Sequence, residues 1–314
     1  MTAKLSVAIV IPSHNRADAI GETLASLSNQ EGGLDPLEAV YLADDRSTDD
    51  TVRVATAAWR QSLPLQVVQP PVNRGTYGNV NHVIAEVGGR HDWLLFLHDD
   101  DLARPNWLRT MTDRMAACEP FVGSICSSWD VLYPDGSLTR GENNPERPVE
   151  LIRPEPAAVR STMMRGCWWH FSGGAIRVSA LHQVGPFDVA FPQCADWDWV
   201  LRCLSHRWAV EYVPRTLIAY RQHAGSVSTR SFQTHRDVSE ALALAKRYRA
   251  LLSNGEAARF YGRFVRMLVR RALRAVVNRH AAGIVSAARM IGQVVSSGVR
   301  DASPKLRVEG VGRG

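Results

Sequence analysis

Two patterns alternate over the first hundred residues, and this alternation constrains the fold more than any other feature of the chain. Apolar runs typical of strands buried on both faces lie at Leu5–Ile11, Leu37–Ala43, Leu65–Gln69 and Trp93–Leu97. Between these runs apolar residues recur at helical spacing, as at Ile20, Leu24 and Leu27. Strands and helices joined by short connections predict βαβ units, and therefore an α/β fold with a mostly parallel sheet flanked by helices.

The rest of the chain is less regular. A hairpin is predicted around the turn Pro134-Asp135-Gly136, and a loop over residues 142–156, which contain four prolines. The two strands of this hairpin are Phe121–Tyr133 and Leu138–Arg140. Helices are predicted over Asp196–Ser205 and over about 237–298, and a frayed end over 303–314.

Charge is distributed unevenly along the chain. The 314 residues include 37 Lys and Arg against 31 Asp and Glu, a net charge of +6, yet residues 257–300 contain nine arginines and no acid. The remaining residues therefore sum to −3. Five of these arginines recur at helical spacing and predict a basic helix face: Arg259, Arg263, Arg266, Arg270 and Arg274. Such a face attracts anionic lipid; the alternative is a helix packed on the acidic body, and no nucleic-acid motif accompanies the charge.

The cysteines and the N-terminus bear on the compartment. Five cysteines without a CxxC pair predict free thiols in a reducing environment. The apolar run before Pro12 is too short for a signal peptide or a membrane-spanning helix. We therefore expect a cytoplasmic protein, with peripheral contact at the inner face of the plasma membrane as the role of the basic segment.

An acidic turn, Asp99-Asp100-Asp101, follows the fourth predicted strand. Three adjacent carboxylates at the end of a buried strand repel one another and are costly to desolvate. A hard divalent cation offsets this cost, and Mg²⁺ commonly binds through one or two carboxylates together with substrate phosphates. The alternative is a solvated turn that caps the helix near Pro105.

Seven segments, in order and spacing, resemble the inverting family 2 glycosyltransferases of GT-A fold. They cover about residues 5–230 and are VAIVIPSHNR (7–16), LADDRSTDDT (42–51), NRG (73–75), FLHDDDLARPNWL (96–108), SGGAIRVSALHQVGPFD (172–188), ADWDWVLR (195–202) and YRQHAGSVS (220–228). The resemblance implies a Rossmann-like GT-A domain with a nucleotide-sugar-binding half (1–103) and an acceptor and catalytic half (104–235). A basic helical extension (236–314) follows.

The resemblance also implies roles for individual residues. Asp196 takes the place of the catalytic base, although Ala195 stands where the family usually has Glu. Asp100 takes the metal-ligand position of the family's DxD motif, whose first Asp is His98 here, and Asp101 and His223 are further candidate ligands for Mn²⁺ or Mg²⁺. The implied nucleotide-sugar contacts are Pro12, Asn15, Asp44, Asp45, Asn73, Gly75, Asp99 and Arg221. The implied acceptor side comprises Gly173, Gly174 and Trp197.

Two of these assignments stay open in the sequence. Asp99 or Asp101 could replace Asp100 as the direct metal ligand. In the segment ADWDWVLR, Asp196 could instead cap a helix and Trp197 could belong to the core.

The expected function is transfer of a sugar from a nucleotide-diphosphate sugar to a hydroxyl of a glycan or lipid-linked acceptor, in cell-envelope polysaccharide synthesis. One alternative is a sugar-phosphate nucleotidyltransferase, although that class has a Gly-rich loop after the first strand where this chain has PSHNR. The other is a catalytically inactive nucleotide-sugar-binding protein, which Ala195 and His98 favour.

Overall fold

The computed structural model describes residues 5–139, 147–223, 225–279 and 281–302. The chain divides after Ser226 into two compact units, the first containing all the strands of these residues and the second made of helices. Within the first unit, strands from 1–103 and from 104–235 pair in one sheet. The functional division at residues 103 and 235 therefore stays a prediction.

A ten-stranded sheet forms the centre of the first unit, in the order β3-β2-β1-β4-β9-β6-β10-β5, with β7 beside β6 and β8 beside β10. Its strands are β1 (Val7–Ser13), β2 (Leu37–Asp44), β3 (Leu65–Val68), β4 (Trp93–Phe96), β5 (Leu102–Ala103), β6 (Val122–Leu132), β7 (Leu138–Thr139), β8 (Glu150–Ile152), β9 (Ala175–Arg177) and β10 (Ala209–Arg221). β3, β2, β1 and β4 run parallel, as do β6 and β10, while β9 runs antiparallel between β4 and β6. The predicted α/β fold is confirmed.

Seven α-helices accompany this sheet in the described part of the first unit. They are α1 (Ile20–Ser28), α2 (Thr51–Ala58), α3 (Gly75–Val87), α4 (Trp107–Ala117), α5 (Pro156–Arg165), α6 (Val178–Val184) and α7 (Ala195–Ser205). α1 buries Ile20, Leu24 and Leu27, the three residues whose spacing predicted it. The sequence pattern therefore identified the face of the helix as well as the helix.

The turns after β1, β2 and β4 meet at one edge of the sheet. Ser13 at the end of β1 pairs with Asp44 at the end of β2, and on the other side of β1 Val10 pairs with Phe96 of β4. Every residue of β1 is buried, because sheet neighbours flank it on both sides and helices pack on its faces. Since parallel strands end at the same edge, the acidic turn after β4 lies beside the ends of β1 and β2.

The less regular part of the chain was predicted less well. The hairpin is confirmed as β6 and β7, with Arg140 outside the described residues. The predicted loop over 142–156 is partly wrong, since β8 and the first residue of α5 lie within it, while 142–146 are outside the described residues. The long strand β10 was not predicted, because its apolar pattern is interrupted between Val213 and Thr216, where its register against β6 shifts.

The second unit contains α8 (Val227–Thr234), α9 (Arg236–Arg247), α10 (Asn254–Val277) and α11 (Ala281–Ala302). The helical stretch predicted over about 237–298 is confirmed as α9, α10 and α11, whereas α8 was not predicted. A capping box starts α10, with the Glu256 N–H donating to Ser253 Oγ at 3.2 Å. α10 buries Phe260, Phe264 and Leu268. None of the helices in the described ranges is both long and apolar enough to cross a bilayer. The predicted frayed end, 303–314, lies outside those ranges.

Candidate active site

Asp99 is a buried carboxylate that contacts the turn after β1. It is 7% exposed and accepts a hydrogen bond from the His14 backbone N–H at 3.3 Å. The Arg16 guanidinium lies 3.6 Å from its Oδ1. Desolvation, reinforced by the neighbouring Asp100 carboxylate, raises the pKa of Asp99 to about 7. The protein groups around Asp99 therefore do not fully stabilise its ionised form, and a bound cation would stabilise it further.

Asp100 is the point on which three segments converge. His223 Nε2 donates to its Oδ2 at 2.8 Å, and Arg16 Nη2 lies 3.4 Å from the same oxygen. Arg221 Nε donates to the backbone carbonyl of Asp100 at 2.8 Å. The segments that follow β1, β4 and β10 therefore meet at the Asp100 carboxylate. The Asp100 side chain remains partly exposed.

Asp101 is oriented away from this meeting point. It is fully buried, and its two carboxylate oxygens accept from the Ser172 hydroxyl and from the Arg221 backbone N–H. Desolvation and the Asp100 charge raise its pKa well above the ordinary value. Both oxygens already have donors, so this geometry does not fit the predicted role of Asp101 as a direct metal ligand. It fits a role in fixing the turn.

The two acids after β2 also differ from each other. Asp45 accepts from the backbone N–H groups of Arg74 and Gly75, one to each oxygen, both at 2.7 Å, and so anchors the start of α3. Asp44 accepts from Ser47 N–H at 3.1 Å and from Gln69 Nε2 at 2.7 Å through Oδ2. Its Oδ1 is buried and has no hydrogen-bond donor among the described residues. One oxygen of Asp44 is therefore left without a protein donor in the described part of the chain, whereas each oxygen of Asp45 has one.

The remaining predicted donor residues mainly hold these loops together. Pro12 is buried in β1 beside Ala43. Asn15, with a positive φ of 51°, accepts from the Thr48 N–H at 2.8 Å and ties the β1 turn to the β2 turn. Asn73 Nδ2 donates to the carbonyl of Asp45 at 3.0 Å. These contacts set the shape of the site. That Pro12, Asn15 and Asn73 also contact the nucleotide stays a prediction.

Arg221 is held by protein groups on three sides. Besides the bonds to Asp100 and Asp101, its Nη2 donates to the carboxylate of Glu22 on α1. The predicted contact of Arg221 with the nucleotide sugar therefore competes with these partners. The geometry instead shows how the end of β10, and with it His223, is fixed beside the acidic turn.

Asp196 lies in the first turn of α7 and is half-buried. The Trp197 backbone N–H donates to its Oδ1 at 2.7 Å, and its carboxylate lies beside the Cys167 side chain. Trp197 itself is buried, with Nε1 donating to the Thr162 carbonyl at 3.3 Å. Asp198 is fully buried in an ion pair with Arg202 at 2.7 Å. Of the two acids, Asp196 is the one that keeps an accessible carboxylate.

Gly173 and Gly174 allow the segment before β9 to lie against the sheet. Gly173 has a φ of +83°, and a Cβ there would lie 2.6 Å from Ile218. A Cβ on Gly174 would lie 2.6 Å from the Trp169 ring. This close packing places the neighbouring Ser172 hydroxyl on Asp101, so both glycines shape the site from behind. Their predicted place on the acceptor side stays a prediction.

The side chains at the acidic turn suit a divalent cation that is coordinated partly by the protein and partly by a bound substrate. Among the described residues no three His, Cys, Asp or Glu side chains are placed to enclose a metal ion. Asp100 and His223 nevertheless offer a carboxylate and an imidazole 2.8 Å apart, with Asp99 next in the chain. Hard cations that coordinate one or two protein groups fill their remaining positions with water and substrate phosphates.

Two residues that organise the site, Arg16 and Ser172, were not predicted from the sequence. Arg16, which pairs with Asp99 and Asp100, stands in the quoted turn after β1 but received no role. Ser172 bonds Asp101 and accepts from the His98 backbone N–H at 2.9 Å. No local pattern marks Ser172, because its partners lie more than seventy residues away.

Comparisons with known proteins relate this chain to glycosyltransferases. A PGL/p-HBAD biosynthesis glycosyltransferase of Mycobacterium tuberculosis (strain ATCC 25618 / H37Rv) is 26% identical over 240 residues, which cover 70% of this chain and 78% of the relative. The crystal structure of S. aureus TarS 1–349 in complex with UDP-GlcNAc has a TM-score of 0.63 at 14% identity, covering 93% of this chain and 81% of TarS. The mannosyltransferase PcManGT from Pyrobaculum calidifontis, in complex with GDP-Man and Mn²⁺, has a TM-score of 0.56 at 15% identity, covering 96% and 88%.

The structural neighbours establish the fold as that of GT-A glycosyltransferases. The sequence model described as "Glycosyl transferase family 2" matches residues 8–172, more than half of the chain, and this span contains the turns after β1, β2 and β4. The chain therefore belongs to glycosyltransferase family 2.

Proposed function

We propose that the protein is an inverting glycosyltransferase that moves a sugar from a nucleotide-diphosphate sugar to a hydroxyl group of a glycan or lipid-linked acceptor. The observation that carries this proposal is the convergence of Arg16, Asp100 and His223 from the ends of three strands at the carboxyl edge of the sheet. Ligands of open α/β sheets bind at this edge. The nucleotide sugars bound to the two structural neighbours, UDP-GlcNAc and GDP-Man, support the same donor class.

Asp44 is the residue we assign to the nucleoside. Its buried Oδ1 lacks a donor among the described residues, and a base N–H or a ribose hydroxyl would supply one. Asp45, Asn15, Asn73 and Gly75 then act by holding the β1 and β2 turns and the start of α3 in place around it.

Asp100 and His223 are the residues we assign to a divalent cation, Mn²⁺ or Mg²⁺, with Asp99 beside them. The cation would neutralise charge on the departing nucleoside diphosphate. Imidazole is a better ligand for Mn²⁺ than for Mg²⁺, so the His223 contribution favours Mn²⁺. Asp101 and Arg221 hold the acidic turn and the end of β10 in register for this binding.

Asp196 is the residue we assign as general base. An inverting transfer needs one carboxylate to take the proton of the acceptor hydroxyl as its oxygen attacks the anomeric carbon, while the nucleoside diphosphate leaves from the opposite face. The hydrogen bond from the Trp197 N–H fixes one oxygen of Asp196 at the start of α7.

The turnover test is release of UDP or GDP from a panel of nucleotide sugars with Mn²⁺, followed by NMR of the product. The expected result is release from a subset of donors and a product whose anomeric configuration is opposite to that of the donor. Pyrophosphate formation from a sugar phosphate and a nucleoside triphosphate would instead identify a nucleotidyltransferase. Binding of a nucleotide sugar without turnover by any acceptor would identify an inactive binding protein.

The second unit supports contact with an anionic bilayer. Arg259, Arg266, Arg270 and Arg274 lie exposed on one face of α10, and none forms an ion pair with a carboxylate in the described residues. The same face exposes Leu273 by 59% and Val277 by 80%, and Val276, exposed by 54%, flanks it. Aliphatic side chains interleaved with arginine match the lipid–headgroup boundary, whereas nucleic-acid binding commonly adds aromatic side chains that stack on bases. Two such faces would repel each other, which disfavours self-association.

A vesicle experiment tests this contact on the full chain. Co-sedimentation with phosphatidylglycerol vesicles should be lost when Arg266, Arg270 and Arg274 are all changed to Glu. The matched control changes Arg60, Arg90 and Arg207, three exposed arginines of the first unit, and alters the net charge equally. Equal loss in both variants would show a response to net charge and contradict a defined surface. Binding to RNA but not to vesicles would contradict the lipid assignment.

A further inference from the structure

We propose that Trp129, His170 and Tyr220 form the wall of a saccharide subsite, on which a pyranose ring of the donor or acceptor lies. This inference rests on the proposed function and assigns residues that the family motifs leave without a role. The three side chains come from β6, from the segment before β9 and from β10. All three are half-buried, so each keeps a surface that a ligand can reach.

The wall is a set of aromatic rings fixed by one another. The His170 ring stacks on Trp129 with centroids 4.8 Å apart and planes at 25°, and Tyr220 meets the edge of His170 at 5.1 Å and 75°. Trp129 and Tyr220 lie on neighbouring parallel strands, where Trp129 pairs with Ile218 and Tyr220 with Val131. The backbone of the sheet therefore holds the rings in place before any ligand arrives.

His170 adds a defined polar atom to this aromatic surface. Its Nδ1 lies 3.1 Å from the Ser172 carbonyl oxygen, which can accept but not donate, so Nδ1 carries the proton. Desolvation, with the nearby His98, lowers the pKa of His170 to about 4, so the ring is neutral at physiological pH. Nε2 is then an acceptor, suited to a sugar hydroxyl. Aromatic faces with a few oriented polar atoms are typical of small-ligand sites.

The position of the wall suits a sugar better than a nucleoside. In the sheet order, β6 is separated from β2, which carries Asp44, by β1, β4 and β9. At about 4.8 Å per strand the wall lies roughly 19 Å from the proposed nucleoside contact, but roughly 10 Å from β4 and its acidic turn. A group at that distance lies beyond the diphosphate, on the side away from the base.

The chain also connects the wall to the proposed general base. Cys167 lies beside Asp196, and Ser172 bonds Asp101. Only six residues therefore span from the base to the acidic turn, and His170 lies between these two points. A ring on the wall is placed between the groups that must act on the reacting hydroxyl and on the leaving diphosphate.

Calorimetry on the full chain tests this subsite with Trp129→Leu and His170→Phe, each compared with Trp168→Phe as a control. Trp168 is half-buried, but its nearest ring partner is Tyr212, outside the wall. The calorimetric probes are UDP, GDP and the corresponding nucleotide sugars. Binding to saccharides of the acceptor class is measured separately, on a glycan array. We expect both wall variants to bind UDP or GDP as the wild type does, and to lose about tenfold in affinity for a sugar-bearing ligand.

Which ligand loses affinity in the wall variants shows whether the sugar on the wall belongs to the donor or to the acceptor. Weaker binding of the nucleotide sugar alone places the donor sugar on the wall, and weaker array binding alone places the acceptor there. Unchanged binding of both ligands, or an equal loss of UDP or GDP binding, would overturn the subsite. A wild-type protein that binds no nucleotide sugar would instead contradict the proposed function, and the array would still report on the wall.

Discussion

The acidic turn of the first unit and the arginine face of α10 are both clusters of like charge, yet they differ in burial and in partners. Asp99 and Asp101 are buried, and Asp100 is bonded from β10 and approached by Arg16. Arg266, Arg270 and Arg274 are exposed, beside exposed Leu273. Buried like charges shift pKa values and demand a counter-ion at close range, whereas exposed ones act over a surface and are screened by salt. The first cluster therefore suits the proposed cation and diphosphate, and the second suits the proposed contact with an anionic bilayer.

The largest effect should come from the proposed general base, Asp196. Asp196→Asn removes the proton acceptor and should reduce turnover about 10²–10⁴-fold while leaving nucleotide-sugar affinity unchanged. The matched variant Asp198→Asn breaks the buried ion pair with Arg202, so it should lower thermal stability instead. Steady-state rates and melting curves of the two variants separate these roles. Full activity in Asp196→Asn would remove it as the base.

The next effect concerns the proposed cation. His223→Ala removes one of the two assigned ligands and should weaken Mn²⁺-dependent binding of the nucleotide sugar about 10–100-fold, with little change in binding without metal. Glu22→Gln, which alters the partner of Arg221 but no assigned ligand, serves as a control. Titrations with and without Mn²⁺ measure both. An equal loss in the two variants would indicate that His223 acts through the position of β10.

A smaller effect depends on pH. The pKa of Asp99 is raised to about 7 in the folded protein, so folding favours its protonated form and stability falls as pH rises from about 4 to 7. Asp99→Asn should therefore melt higher than the wild type at pH 8, by roughly 2–6 °C, and about equally at pH 4. Added Mn²⁺ should narrow the difference at pH 8. A difference that does not vary with pH would contradict the burial-driven shift.

The smallest effect on catalysis should come from the second cluster. Raising NaCl from 0.05 to 0.5 M shortens the screening length about threefold and should release the protein from phosphatidylglycerol vesicles. Turnover on a water-soluble acceptor should change less than about twofold. A parallel loss of turnover and vesicle binding would show that the two charge clusters are not independent.

The sequence predicted the parts of the fold that repeat a local pattern. β1, β2 and β4 were recognised as apolar runs, and the turns that follow them lie at one edge of the sheet because parallel strands end together. What adjacent acids do was not predictable. Asp44 and Asp45 are chemically identical neighbours, and only the position of the α3 N-terminus decides which of them is already satisfied.

Contacts between distant segments account for most of what the sequence left out. β10 was missed because its apolar pattern breaks where its register shifts. Ser172 and the Trp129–His170–Tyr220 wall depend on packing across the sheet, with partners far apart in the chain. Asp101 looked equivalent to Asp100 in the motif, and its burial behind Ser172 and Arg221 removes that equivalence.

The most direct test of the central claim is calorimetric titration of UDP- and GDP-sugars into the wild-type protein and Asp100→Ala, with and without Mn²⁺. The account predicts that one donor class binds the wild type in a Mn²⁺-dependent manner and that Asp100→Ala abolishes the Mn²⁺-dependent part. Nucleotide-sugar binding that is independent of both Mn²⁺ and Asp100 would contradict the assignment of the acidic turn as the site of the cation and the diphosphate.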